Sequence, residues 1–369
     1  MVTATEQTAQ PIIIAGYICG DYHYKEDLNH FRRQFPNLDF LPENTRIYQD
    51  GKVSILPGTA ERFLMFLGNE AGELVAKDVI PGGGGENSRR AFNNLRVKNR
   101  YTDTCARPSF HLEGLDPKTA YFAGICQASA SLVVPVNSEG EGAGTFIIKS
   151  GRGDINQYID REVKEEIRAL LRSGNDVLTN SISNEHLAEI LAHNTQGDLY
   201  TVVTTYLKKE SLALGDLMRR SRVNFLSLKE FYWLIGKEDR LKHFKRGISH
   251  KNIDPLREDV VGFSKQKMLD GTLVITLGQH GAIHYHRGQG EKATWTYLLK
   301  PQRDAIQESL LERNKSTNSA GDNFAAATTQ ELRKGKSLEE AIEQGCRFAI
   351  KNVLKYREKI NGDFRVDTV

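Results

Sequence analysis

The chain has few cysteines, no long apolar run and almost no charge excess, and each lack excludes a class of protein. Four cysteines among 369 residues, at positions 19, 105, 126 and 346, show no paired metal-ligand spacing, and their scatter fits reduced thiols of an intracellular protein better than a disulfide framework. No apolar stretch approaches the roughly 18 residues that a membrane span needs. Residues 1–10 are polar and lack a basic region followed by an apolar core, so they do not read as a secretory signal. Fifty basic against 47 acidic residues leave a formal net charge of +3, too balanced to imply a nucleic-acid or membrane surface. There is no internal repeat and no low-complexity segment. The expectation is a cytoplasmic protein with neither nucleic acid nor membrane as partner.

What is present is an ordinary globular composition. With 39% hydrophobic and 26% charged residues, the chain can bury one large core or two modest ones. Ile12 to Gly16 is a short β-branched run suited to a buried central strand, and further strands are expected at 176–179, 199–204, 223–226 and 272–277. Helical periods lie between several of them. Val163, Ile167, Leu170 and Leu171 form one apolar face with Gly174 as its stop, and Leu338, Ala341, Ile342, Gly345, Phe348, Ala349 and Val353 form a longer packing stripe. Alternating strands and helices imply an α/β fold with a mainly parallel sheet and ligands beyond the C-terminal strand ends. Segments of about 22–57 and 128–148 are richer in turns and alternating β-type residues. His284 and His286 alternate along a strand-like segment and read as surface or packing residues rather than metal ligands, and Arg152 to Asp154 reads as a turn.

Residues 316–327 carry the strongest chemical signal, with Ser319, Ala320, Gly321 and Asp322 leading into Phe324 and an alanine-rich helix. The first turn of a helix leaves N–H groups without partners and carries partial positive charge, so phosphate oxygens dock there. Small side chains let an anion approach, and Asp322 at the same turn is placed to take a proton from an attacking hydroxyl. A simple turn and N-cap ahead of a packing helix accounts for the same residues. The glycines from Gly82 to Gly85, followed by Asn87, fit either a flexible connector or a close approach of backbone to ligand, with the Asn amide both donating and accepting.

The segment ending in Asp322 resembles the C-terminal signature of the PfkB, or ribokinase-like, family of sugar and nucleoside kinases, commonly D-T-x-G-A-G-D-x-F. Thr317, Ala320, Gly321, Asp322 and Phe324 match. Ser319 stands where the family usually has Gly. Ser316 stands where it has an Asp that helps order a monovalent-cation site, so dependence on a monovalent cation is left open. Gly82, Gly83 and Asn87 match the family's G-G-x-x-x-N signature, and the segment from Gly16 to Asp21 resembles G-x-x-x-x-D, which implies that Asp21 binds substrate hydroxyls. Residues 137–141 resemble the hairpin that carries a sugar-contacting Glu, here Glu141. Thr276, Gly278 and Gly281 match T-x-G-x-x-G-A, implying a wrap around nucleotide phosphates and ribose. Glu230, Leu234 and Gly236 match N-x-x-E-x-x-x-L-x-G, with Ser227 replacing Asn, which implies that Glu230 orients magnesium-bound water.

Five motifs in the family's order span about residues 12–355. The resemblance implies a ribokinase-like three-layer α/β/α sandwich over residues 11–369, with the two inserted segments as a small β-sheet lid, and pairing through that lid as a possible homodimer. It further implies an ATP-dependent kinase using Mg2+, with a small sugar or nucleoside as acceptor, Asp322 as base, and the amides of Ser319, Ala320 and Gly321 as the anion hole. Two alternatives stay open. One is a non-catalytic sensor or scaffold of the same fold, and the other a sugar-phosphate kinase using Arg89 and Arg90. Between Asn87 and Ser131 there is less chain than the family usually has, and residues 107–111 stand where part of a β-α unit is expected.

Overall fold

The computed structural model describes residues 12–16, 19–41, 52–56, 59–75, 80–82, 84–95, 99–103, 130–138, 142–149, 161–182, 185–205, 207–244, 247–267, 269–287, 292–298, 304, 319–354 and 364–367. In chain order the elements are β1 (Ile12–Gly16), β2 (Cys19–His23), α1 (Leu28–Gln34), β3 (Lys52–Ser54), α2 (Ala60–Met65), β4 (Ile80–Gly82), α3 (Gly84–Asn94), β5 (Asn99–Asp103), β6 (Ala130–Ser138), β7 (Gly142–Lys149), α4 (Arg161–Leu171), β8 (Val177–Asn180) and α5 (Glu185–Asn194). They continue as β9 (Leu199–Val202), α6 (Leu212–Arg220), β10 (Val223–Ser227), α7 (Leu228–Leu234), α8 (Asp254–Gln266), β11 (Thr272–Thr276), β12 (Ala282–His286), β13 (Thr294–Leu298), α9 (Ala320–Arg333), α10 (Leu338–Leu354) and β14 (Phe364–Asp367).

Nine strands form one sheet in the order β14-β13-β12-β11-β10-β9-β8-β1-β5. From β5 to β11 every neighbouring pair is parallel, and β12, β13 and β14 extend the sheet in antiparallel pairing. The strands expected from β-branched runs are all in this sheet, with ends displaced by a residue or two. The antiparallel extension was not expected, because β12 and β13 alternate polar with apolar residues and carry no unbroken apolar run of the β1 kind.

Alternation along β1 shows how the layers are built. Ile13 and Ala15 enter one core with the faces of α4, α5, α6 and α8. Ile12 and Ile14 enter a second core with Phe92 of α3, Phe324 and Ala325 of α9, and Ala341 and Ile342 of α10. Successive side chains of a strand point to opposite faces, so a strand with all five residues buried must be covered on both sides. The result is the expected three-layer α/β/α sandwich. Gly174, the expected stop after α4, has φ of 78°, the left-handed conformation in which glycine carries no Cβ penalty.

A second sheet has the order β3-β7-β6-β2-β4. It has a core of its own, in which Leu132, Val134, Phe146 and Ile148 of the sheet meet Phe31, Phe40, Phe63 and Phe66. The stretch of 22–57 contributes α1, β3 and the last two residues of β2, which begins at Cys19, and α2 with the turns following it completes the aromatic layer. These rings touch edge-on or tilted, as Phe35 does on Phe66 at 4.9 Å between centroids.

His284 is a packing residue, 3% exposed, with Nε2 3.5 Å from Glu339 Oε1, and His286 Nδ1 lies 3.1 Å from Thr272 Oγ1. Among the described residues no group of three or more His, Cys, Asp or Glu side chains is placed to hold a metal. No described helix is long and apolar enough to cross a membrane. Gly83, Glu141, Ser316, Thr317, Asn318, residues 107–111, and Cys105 and Cys126 lie outside the described residues.

Candidate functional site

The parallel strands end together. Gly16 closes β1 beside Asn180, the last residue of β8, and Ser227 closes β10 beside Thr276, the last residue of β11. This C-terminal edge is where an open parallel sheet presents its loops to ligands. Two helices from distant parts of the sequence converge on it. Helix α3 begins at Gly84, just after the β4 strand, and α9 begins at Ala320 and packs directly against α3.

Asp322 is the third residue of α9 and is partly exposed. A carboxylate in the first turn is favoured by the helix macrodipole, and the first-turn amides of Ala320 and Gly321 have no intrahelical acceptor. Ser319 is the N-cap, with φ of 70° and no side-chain cap bond. A non-glycine residue in the left-handed region costs about 1–2 kcal/mol, so serine is strained at the position where the family usually has glycine. The helix start expected at 319–322 is therefore present, and its opening turn is held in an unusual conformation. Gly321 is exposed, and a Cβ built on it would meet nothing within 4 Å. Nothing in the protein's own packing requires glycine there.

Both oxygens of Asp322 are held by amides. Asn87 Nδ2 donates to Oδ2 at 2.8 Å and Asn180 Nδ2 donates to Oδ1 at 2.7 Å. The first contact joins the early glycine motif to the late helix start across 235 positions of sequence. The second was not anticipated from sequence. Asn180 is fully buried and also donates to Ser88 Oγ at 2.9 Å, while Ser181 Oγ donates to Asn180 Oδ1 at 3.1 Å. The available signal was the composition of β8 itself, Val177-Leu178-Thr179-Asn180 with every residue buried, since a buried amide at a strand end needs partners. Ser181, with φ of 62°, and Ser319 are the positive-φ non-glycine residues of the described chain; Ser181 reaches Asp322 through Asn180, and Ser319 caps the helix whose first turn holds Asp322. Clustered strain of this kind marks sites whose geometry is over-determined by their surroundings.

The glycines divide into two kinds. A Cβ on Gly84 would lie 2.2 Å from Asn180 Oδ1 and 2.3 Å from Ser181 Oγ, and one on Gly16 would lie 2.7 Å from Gly85 Cα. These glycines let α3 sit close against the ends of β1 and β8. Gly281, φ 87°, would bring a Cβ to 2.0 Å from the Thr296 carbonyl oxygen, so contact with β13 alone demands glycine there. Gly278, φ 60°, has nothing within 4 Å of an added Cβ, like Gly321. Gly82 lies on β4 opposite Cys19.

Asp21 lies on β2, opposite Ile80 of β4 and beside Ser131 of β6. Its side chain is outside the described part of the structure. Thr276 Oγ1 donates to the Leu226 carbonyl oxygen at 3.3 Å, tying β11 to β10. Glu230 forms a capping box with Ser227: its Oε2 accepts the Ser227 N–H at 2.8 Å, and the Ser227 hydroxyl accepts the Glu230 N–H at 3.2 Å. Serine at 227 therefore does the work of an N-cap, and one oxygen of Glu230 is engaged by the backbone. Two residues on, Tyr232 is fully buried and its phenol is pushed up to about 12, chiefly by burial, so it contributes no charge near Glu230 at neutral pH. Arg89 and Arg90 follow Ser88 on α3 and are half-buried.

A three-layer sandwich whose parallel sheet has an open C-terminal edge, joined by a second, smaller sheet, is an α/β protein of the ribokinase-like fold. Residues 139–360 match the pfkB family of carbohydrate kinases, and the chain belongs to that family. None of the curated proteins matches. Among solved structures, the chain is similar to an adenosine kinase of Anopheles gambiae in complex with P1,P4-di(adenosine-5) tetraphosphate, at 11% identity over 94% of this chain and 98% of that one, with a TM-score of 0.63. It is similar to a probable sugar kinase of Rhizobium etli CFN 42 at 14% identity over 94% and 93%, TM-score 0.59. An Arabidopsis thaliana ribokinase complexed with ribose and ATP matches at 14% identity over 95% and 94%, TM-score 0.56. At these identities the likeness establishes the shared fold.

Proposed function

We propose that the protein transfers the γ-phosphoryl group of ATP to a hydroxyl of a small sugar or of a nucleoside. The observation that carries this reading is the setting of Asp322, in the first turn of α9 with both carboxylate oxygens gripped by Asn87 and Asn180. Asp322 is partly exposed, so a substrate hydroxyl can hydrogen-bond to a remaining lone pair and lose its proton as it attacks phosphorus. The amides of Ser319, Ala320 and Gly321 stabilise charge developing on the transferred group, because they are fixed donors in a helix start that need not reorganise. The open space over Gly321 admits the phosphoryl oxygens.

Asp21 and Asn87, with Gly82, Gly83 and Glu141, hold the acceptor, and Thr276, Gly278 and Gly281 shape the nucleotide loop. Of these, Gly278 has the open, left-handed backbone that a ligand-facing turn uses. Glu230 keeps one carboxylate oxygen beyond its capping box, and a single oxygen acceptor fits the hydrated shell of Mg2+ better than direct ligation. Magnesium, when bound with the nucleotide, neutralises phosphate charge. The second sheet, with its aromatic layer, covers the acceptor and excludes water, which limits hydrolysis of ATP.

The test is ADP release from ATP and magnesium over a panel of pentoses, hexoses, their phosphates and nucleosides, with Asp322→Ala alongside. Turnover confined to one acceptor class and lost in the variant is the expected result. Turnover that survives in Asp322→Ala, or no turnover with any acceptor, overturns it.

A further inference from the structure

We infer that Asn180 is a positioning residue: it sets the orientation of Asp322 for proton transfer without touching substrate. This rests on the phosphoryl-transfer reading above. Three observations carry it. First, Asn180 is 0% exposed, so no acceptor or nucleotide reaches it, whereas Asn87 on the other carboxylate oxygen is partly exposed. Second, both N–H groups and the oxygen of its amide are engaged. One N–H goes to Asp322 Oδ1 at 2.7 Å and the other to Ser88 Oγ at 2.9 Å, and Oδ1 accepts from Ser181 Oγ at 3.1 Å. The orientation of the amide is therefore fixed by its surroundings, because an exchange of oxygen and nitrogen would set oxygen against carboxylate. Third, the chain makes room for it. A Cβ on Gly84 would overlap the amide at 2.2 Å from Oδ1 and 2.6 Å from Cγ, and the next residue, Ser181, takes a left-handed φ of 62°. A glycine and a strained serine around one buried amide are what a device for holding a side chain requires, since such strain persists only when neighbours over-determine it.

The physical consequence is geometric. Asn87 alone would leave the Asp322 carboxylate able to swing about a single hydrogen bond. With Asn180 on the second oxygen, the plane of the carboxylate and the directions of its free lone pairs are fixed. A proton-accepting group held within a narrow range of positions works faster, and a misplacement of about 1 Å costs on the order of a hundredfold in rate. A residue that only ties β8 to α3 would affect stability and leave the rate alone.

The experiment has a kinetic arm and a structural arm. In the first, Asn180→Ala is expected to lower kcat by about tenfold or more, with KM for ATP and acceptor within about threefold of the unaltered protein. Adding Asn180→Ala to Asp322→Ala should lower the residual rate no further. Thr179→Val serves as control. It removes the buried Thr179–Thr201 hydroxyl contact of 3.1 Å on the same strand, and is expected to lower the melting temperature with kcat unchanged. If Asn180→Ala melts lower and retains kcat, as the control does, the proposal is overturned.

The structural arm needs no turnover and so separates failure of this proposal from failure of the kinase reading. Asp322→Asn replaces an acceptor pair by one acceptor and one donor, setting one N–H against Asn87 or Asn180, and the melting temperature should fall. Asn180→Asp combined with Asp322→Asn reverses the polarity of the pair and should recover most of that loss while remaining inactive. A double variant no more stable than Asp322→Asn refutes the assigned contact, even where the protein is an active kinase. Recovery of stability, where the unaltered protein turns over no acceptor, leaves the contact standing and overturns both the positioning role of Asn180 and the kinase reading.

Discussion

Replacing Gly321 by alanine separates what the fold needs from what a ligand needs. Gly321 is the second residue of α9, exposed, and a methyl group there meets no protein atom within 4 Å. Folding therefore offers no steric resistance. Alanine is better than glycine within a helix by about 0.5–1 kcal/mol, and part of that gain should be realised in the first turn. For a protein of this size it corresponds to a rise in melting temperature of about 1–2 °C. The same methyl occupies the space over the α9 N-terminus where phosphoryl oxygens are proposed to dock. Forcing the transferred group out by about 1 Å costs on the order of a hundredfold in rate. The assay is ADP release with the acceptor that the panel identifies, beside thermal unfolding of the same preparation. A variant that is at least as stable as the unaltered protein and turns over about a hundredfold more slowly is the expected result. Turnover within about twofold would refute the docking of phosphate at Gly321, and a fall of several degrees would refute the claim that the space is free of protein.

Gly281→Ala should behave in the opposite way. With φ of 87° and a Cβ at 2.0 Å from the Thr296 carbonyl oxygen, it should lose about 3 kcal/mol or more in urea unfolding. His284 gives a pH dependence. Burial is the largest influence and pushes its imidazole below the ordinary value, with Glu339 opposing, so the folded state favours the neutral ring. Its contribution to stability is complete above the unfolded value of about 6.5 and is lost as pH falls through the depressed folded value. Urea unfolding at a series of pH values should show a decline below about 6.5 that is shallower in His284→Gln. Cys346 is buried, and its thiol is pushed up to about 12, chiefly by burial. Iodoacetamide at pH 8 should leave it unmodified in the native protein and modify it in denaturant, as read by peptide mass.

How much of this was legible in sequence follows from the range over which each signal acts. The parallel strands were legible because burial on both faces forces runs such as Ile12 to Gly16 and Leu273 to Ile275, which need only local reading. The start of α9 was legible for a similar reason, as Ala320, Gly321 and Asp322 are small residues and a first-turn acid in sequence. Asn180 was not, because its meaning lies in partners 92 and 142 positions away. The glycine run fits in sequence either a connector or a close approach to ligand, yet at Gly84 the close approach is to the protein's own Asn180 and Ser181. Serine at 227 looked like the loss of a family asparagine, and its gain as a capping-box partner of Glu230 became visible only with the helix in place. The aromatic layer on the second sheet was also hidden, since Phe31, Phe40, Phe63 and Phe66 share no single helical or strand period and meet only through packing.

The most direct measurement is 31P NMR of the reaction mixture, following the γ-phosphoryl of ATP with the acceptor selected by the panel, for the unaltered protein and Asp322→Ala. A new phosphomonoester resonance growing as the γ resonance of ATP declines, and absent with the variant, is the predicted result. Inorganic phosphate as the sole product, or an equal rate of ester formation in Asp322→Ala, would contradict phosphoryl transfer to a hydroxyl through Asp322.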